Sequence, residues 1–187
     1  MSAKVHSFIA RDENHNIFSS EMKYNIVIKR FEKIMGKRLP ANKEEKFRLI
    51  LKEIRKNSRF DENEQYIQHG TTTVKEHCIK VAHTAYFMSH RLHITVHEEE
   101  LIRGALLHDY FLYDWHEKSL KNSIHGFTHP GKALREASKD FDLTNIEKDM
   151  IQSHMFPLTV KPPKYREGVL LCIADKLCAL QETIGGH

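Results

Sequence analysis

Apolar residues in this chain recur at steps of three and four, and few segments alternate with period two. At 3.6 residues per turn, such spacing returns side chains to one face, so most of the backbone is committed to amphipathic helices. Val74, Cys78, Val81, Ala85 and Met88 form one stripe and predict a helix over 72–91. Phe47, Ile50, Leu51 and Ile54 predict another over 42–56, and Met22, Ile26, Val27, Phe31, Ile34 and Met35 a third over 21–35. A helix over 97–108 opens on Glu98-Glu99-Glu100, acidic residues placed at the positive end of the helix dipole. Pro130 suits a first helical position in "HPGKALREASKDF". "TNIE" at 144–147 is a capping box opening a helix through Ile146, Met150 and Ile151. A last helix, 165–184, carries Leu170, Ile173, Leu177, Leu180 and Ile184, while 110–128 lacks a pattern and reads as irregular. The expected fold is all-α: a helical domain over 66–187, preceded by an N-terminal arm and helical extension over 1–65.

The chain has 187 residues, room for one domain with a sizeable core. No apolar run approaches the roughly 18 residues of a membrane span. The N-terminal stretch lacks the apolar centre of a secretory signal. Cys78, Cys172 and Cys178 form no CxxC pair and sit in apolar helical patterns, as buried free thiols do. A cytoplasmic protein is expected. The net charge of +4 is spread along the chain without an aromatic-interleaved patch, which argues against nucleic acid as a partner.

Several polar residues fall on the faces that the apolar pattern marks as buried. His77 lies between Val74 and Val81, His154 follows Met150 and Ile151, and Asp175 has Leu171, Cys172, Cys178 and Ala179 at helical neighbour spacing. His108 and Asp109 end the apolar run "LIRGALL". One inward histidine is ordinarily a hydrogen-bonded core residue, and a buried carboxylate must be protonated, paired or bound to a cation. Several helices each sending an imidazole or carboxylate inward favour a divalent metal that satisfies them together. Imidazole with carboxylate suits Fe, Mn, Ni, Co or Zn better than Ca or Mg.

The order His77, His108-Asp109, His129, His154, Asp175, within "TTVKEHCIKVA", "LIRGALLHD", "HPGKALREA", "EKDMIQSH" and "LLCIADKL", resembles the HD superfamily of metal-dependent phosphohydrolases. The resemblance runs from about His69 to Leu180 and implies a bundle holding two divalent transition-metal ions, Fe or Mn ahead of Ni, Co or Zn. It implies His77, His108 and Asp175 at one ion, His129 and His154 at the other, and Asp109 between them. His125 competes with His129 for the third-histidine role, and the His-Pro start favours His129. Leu112 stands where several dinuclear relatives carry a lysine, and "SHMFPLT" lacks the glycine-tyrosine-proline signature of the cyclic-dinucleotide phosphodiesterases.

The activity so implied is hydrolysis, by a metal-activated water, of a small anionic substrate: a phosphomonoester, or a nucleotide-type phosphoester or phosphoanhydride. Asp109, Lys118 and His125 are the expected catalytic residues, and His69, Arg103 and Lys176 the expected substrate contacts. Tyr110, Phe111, Tyr113 and Trp115 read as local packing near the pocket mouth. The same ligand pattern also resembles HD-type di-iron oxygenases such as inositol oxygenase, and some HD proteins act as non-catalytic nucleotide sensors.

Overall fold

The computed structural model describes residues 39–56, 58–69, 71–110 and 125–185. Six α-helices lie among them: α1 (Ala41–Lys56), α2 (Val74–Arg91), α3 (Glu98–Leu106), α4 (His125–Asp140), α5 (Asn145–Ser153) and α6 (Arg166–Gly185). A short 3-10 helix, Phe60–Gln65, and an antiparallel hairpin, β1 (Ile67–His69) with β2 (Thr72–Thr73), connect α1 to α2. The all-α expectation holds, the hairpin being the one described sheet. The predicted helix over 21–35 lies outside the described residues.

α2 is the centre of the arrangement. It packs along α3 and α6, α3 packs on α5, and α5 meets both α4 and α6, while α1 lies against α3. The stripe Val74, Cys78, Val81, Ala85 and Met88 is buried as its spacing predicts. Phe47, Ile50 and Ile54 of α1 are buried too. The chain enters α2 and α5 through reciprocal caps: the Thr73 and Thr144 hydroxyls accept the backbone N–H groups of Glu76 and Glu147, whose carboxylates accept the threonine N–H groups in return.

Three expectations are corrected. Thr72 and Thr73 form β2, so α2 begins at Val74. α4 begins at His125, which puts Pro130 inside the helix, where its missing N–H removes one intrahelical bond, and not at the first position. On α6 the predicted stripe does not face inward as a whole: Leu170 is buried, but Ile173 and Leu180 are more than 40% exposed. The buried face is Leu171, Ala174, Asp175, Cys178 and Glu182. The helix is turned so that the carboxylates of Asp175 and Glu182 enter the core, and the aliphatic stripe is left partly outside.

Candidate metal centre

Each inward polar residue sits at a place its local sequence fixes. The Thr73–Glu76 cap starts α2 at Val74, which puts His77 at the end of the first turn facing α6. His108 and Asp109 occupy the turn that ends α3, closed by Tyr110 N–H on Leu107 O at 3.2 Å. His129 lies on α4, His154 at the C-terminal cap of α5, and Asp175 in the middle of α6. All six are buried.

They form two clusters. In the first, His77 Nε2 lies 3.2 Å and His108 Nε2 3.7 Å from Asp175 Oδ1. In the second, His129 Nε2 and His154 Nε2 lie 3.3 and 3.4 Å from Asp109 Oδ1, and 2.8 Å from each other. Asp109 Oδ2, 3.5 Å from His108 Nε2, joins the two. The donor atoms of each cluster lie within 4.8 Å of one another. Ligands about 2.1 Å from one ion lie roughly 3–3.4 Å apart, so the spacing is that of shared coordination.

Hydrogen bonds on the far side of the rings fix which nitrogen carries the proton. His108 Nδ1 donates to Ala105 O and His154 Nδ1 to Ile151 O, both at 2.8 Å, and carbonyl oxygens only accept. His77 Nδ1 donates to the Glu182 carboxylate at 2.8 Å. With the rings neutral, their Nε2 atoms would turn lone pairs toward carboxylate oxygens. Acceptor faces acceptor, and His108 Nε2 and Asp109 Oδ1 are buried with no hydrogen-bond partner. A proton or a cation resolves this. Burial opposes charge on His77, but the bonds to Asp175 and Glu182 outweigh it and carry the ring to about 9. Burial alone would raise the Asp109 and Asp175 carboxyls, yet the surrounding imidazoles hold both well below the usual range. His154 is pushed the other way, by burial and by the neighbouring rings of His129 and His108, so this ring resists protonation. Two anionic carboxylates among four imidazoles, three of them anchored through Nδ1, fit divalent cations.

Two residues that the sequence reading did not single out complete the surroundings. Glu182 orients His77, and Gln68 Nε2 donates to Asp109 Oδ2 at 2.6 Å. The i, i+7 spacing of Asp175 and Glu182 on one helix face was the available signal for Glu182. Gln68 had none, because its placement depends on the hairpin.

The other expected contacts are distributed. Lys176 Nζ donates to His154 O at 3.2 Å and Cys172 O at 3.3 Å, against the backbone of the second cluster. Arg103 is committed elsewhere: its Nε donates to fully buried Glu147 at 2.6 Å, and its guanidinium lies 5.9 Å from the Phe141 ring centre. His69 ends β1, its backbone paired with Thr72, and His125 opens α4. Lys118, Phe111, Tyr113 and Trp115 lie outside the described residues. Tyr110 packs locally, parallel to Phe60 at 6.5 Å between ring centres and edge-on to Phe141.

Five helices or their ends bring histidines and aspartates into two buried clusters that could each hold a metal ion. The HD domain family model matches residues 74–180, more than half the chain, and the chain belongs to that family. The family is a metal-dependent phosphohydrolase-type superfamily whose domains bind divalent metals. No curated protein and no solved structure matches the chain. No described helix is long and apolar enough to cross a membrane.

Proposed function

We propose that the protein is a dinuclear metal-dependent phosphohydrolase acting on a small phosphorylated molecule, a phosphomonoester or a nucleotide-type phosphoester or phosphoanhydride. The observation that carries this reading is the pair of clusters, His77–His108–Asp175 and Asp109–His129–His154, joined through the two oxygens of Asp109. His77, His108 and Asp175 would hold one ion, His129 and His154 the other, with Asp109, which belongs to the second cluster and lies beside His108, available to both. Bound, the ions supply Lewis acidity toward phosphoryl oxygens and a water acidified to near neutral pH. Fe or Mn suits this imidazole and carboxylate set, with Ni, Co or Zn as further candidates.

The chain's own residues supply the rest. Leu106, Leu107, Tyr110, Met150 and Ile151 are fully buried near these ligands in sequence and keep bulk water away from their turns, which strengthens the field at the centre. Two divalent ions outweigh the charge of Asp109 and Asp175, so the site attracts an anion. Lys176, beside the second cluster, and His69, Lys118 and His125 are the proposed contacts for the substrate. Buried free thiols at Cys78, Cys172 and Cys178 accord with a cytoplasmic location.

The test is metal content by elemental analysis, on full chain purified under argon without a metal-affinity tag. Turnover of p-nitrophenyl phosphate and a nucleotide panel is then measured with Mn2+ or Fe2+ restored. About two ions per chain and metal-dependent phosphate release are expected. A loaded protein that releases no phosphate overturns the hydrolase reading, and oxygen uptake by the iron-loaded form would replace it with an oxygenase.

A further inference from the structure

We infer that Gln68 is a positioning residue that sets the orientation of Asp109, and thereby the affinity of the second metal position. The inference rests on the dinuclear reading above, but Gln68 lies outside residues 74–180, which carry the family match.

Three observations converge. The first is the backbone. Ile67 pairs with Thr73 and His69 with Thr72, so β1 advances two residues where β2 advances one. Gln68 is the extra residue of a bulge, a device that re-aims a side chain. Val74 N–H on Tyr66 O at 2.8 Å closes the base of the hairpin.

The second is the contact. Gln68 is 8% exposed, and its amide donates to Asp109 Oδ2 at 2.6 Å. That bond fixes the carboxylate plane. One edge then serves His129 and His154 through Oδ1, and the other faces His108 through Oδ2. An amide suits the task because it donates without charge. A lysine would neutralise the aspartate and compete with the cation.

The third is what the amide gives up. Gln68 Oε1 is buried with no hydrogen-bond partner. A side chain there only for packing would be apolar, and one there for stability would have both ends satisfied. The cost is borne for the single bond to Asp109. Without it the carboxylate turns about its terminal torsion, and the cluster whose only carboxylate is Asp109 weakens. The cluster of His77, His108 and Asp175 keeps its own carboxylate.

The experiment is Mn2+ titration of metal-free full chain, read by calorimetry and by electron paramagnetic resonance, for the wild type, Gln68→Leu and Glu182→Gln. Wild type should take up two ions and show the signal of a coupled pair. Gln68→Leu should keep the first ion and bind the second about 10- to 100-fold more weakly, the size of effect outer partners of metal ligands have. At one equivalent its signal should be that of an isolated ion, with metal-free melting not lowered. Glu182→Gln, which acts on His77, should weaken the first ion instead. An unchanged second affinity in Gln68→Leu, or equal weakening of both ions, overturns the inference. Wild type that binds no pair overturns the metal-centre reading and this inference with it, a result distinct from a bound pair indifferent to Gln68. Should Gln68→Leu fail to fold, Gln68→Met carries the same expectation, and a tight second ion there overturns the inference equally.

Discussion

Glu182 accepts a hydrogen bond from His77 Nδ1 at 2.8 Å, while Asp175, two turns earlier on α6, faces Nε2 of the same ring at 3.2 Å. The ring is held from both sides by one helix. Lys80 lies 3.3 Å from the other Glu182 oxygen and offsets part of its charge. A carboxylate behind an imidazole fixes its tautomer and makes its free nitrogen more basic. Glu182→Gln keeps an acceptor but loses the charge. It is expected to weaken metal binding by about 10-fold or more, as read by competition with a chelating dye, while the fold stays intact by circular dichroism.

Arg103 separates a structural role from a substrate contact. It pairs at 2.6 Å with Glu147, whose side chain is fully buried and whose other oxygen caps α5 through Thr144 N–H. Arg103→Met leaves that carboxylate without its cation, and breaking such a pair costs about 3 kcal/mol or more. Urea unfolding should show the loss, and metal affinity in the surviving folded protein should be normal. Wild-type stability with weakened phosphate binding would restore Arg103 to the substrate site.

Tyr110, immediately after Asp109, is anchored by its hydroxyl to Asp140 Oδ2 at 2.6 Å, and Arg59 grips both oxygens of the same carboxylate at 3.0 and 3.2 Å. This ties the end of the His-Asp turn to the C-terminal end of α4. Tyr110→Phe removes one bond to a charged acceptor and should cost about 1.5–3 kcal/mol in thermal or urea unfolding.

Glu98 predicts a step in acid stability. Partial burial works against its charge, but bonds from Lys43, Lys46 and Tyr86 outweigh it and bring the carboxyl from 4.5 down to about 2. A carboxyl lower in the folded state than in the unfolded one contributes its full stability above about 4.5, and that contribution is lost as pH falls toward about 2. Glu98→Gln should flatten the melting-temperature curve across that window. Because α1 reaches α3 through these lysines, it should also lower stability at neutral pH.

Much of this was legible without coordinates. The stripe of α2 and the inward positions of His77 and His154 follow from a period of 3.6 residues, and the capping box of α5 from the spacing of Thr144 and Glu147; both signals are local and read directly from the chain. The grouping of His108 with His77 and of His129 with His154 was carried by the order of motifs, and the geometry brings those same residues together. What the sequence could not decide depends on energies between elements. The aliphatic stripe of α6 competes with Asp175 and Glu182 for the interior, and local spacing does not say which wins. The tertiary structure turns the carboxylates inward because His77 waits there with both ring nitrogens, and Ile173 and Leu180 are left partly in solvent. Gln68 illustrates the same limit. A glutamine on a two-stranded hairpin carries no periodic signal, and only the bulge in β1, set by pairing across the turn, aims its amide at Asp109. Helices are dictated by neighbours along the chain, whereas the residues that tune a buried centre are dictated by neighbours across it.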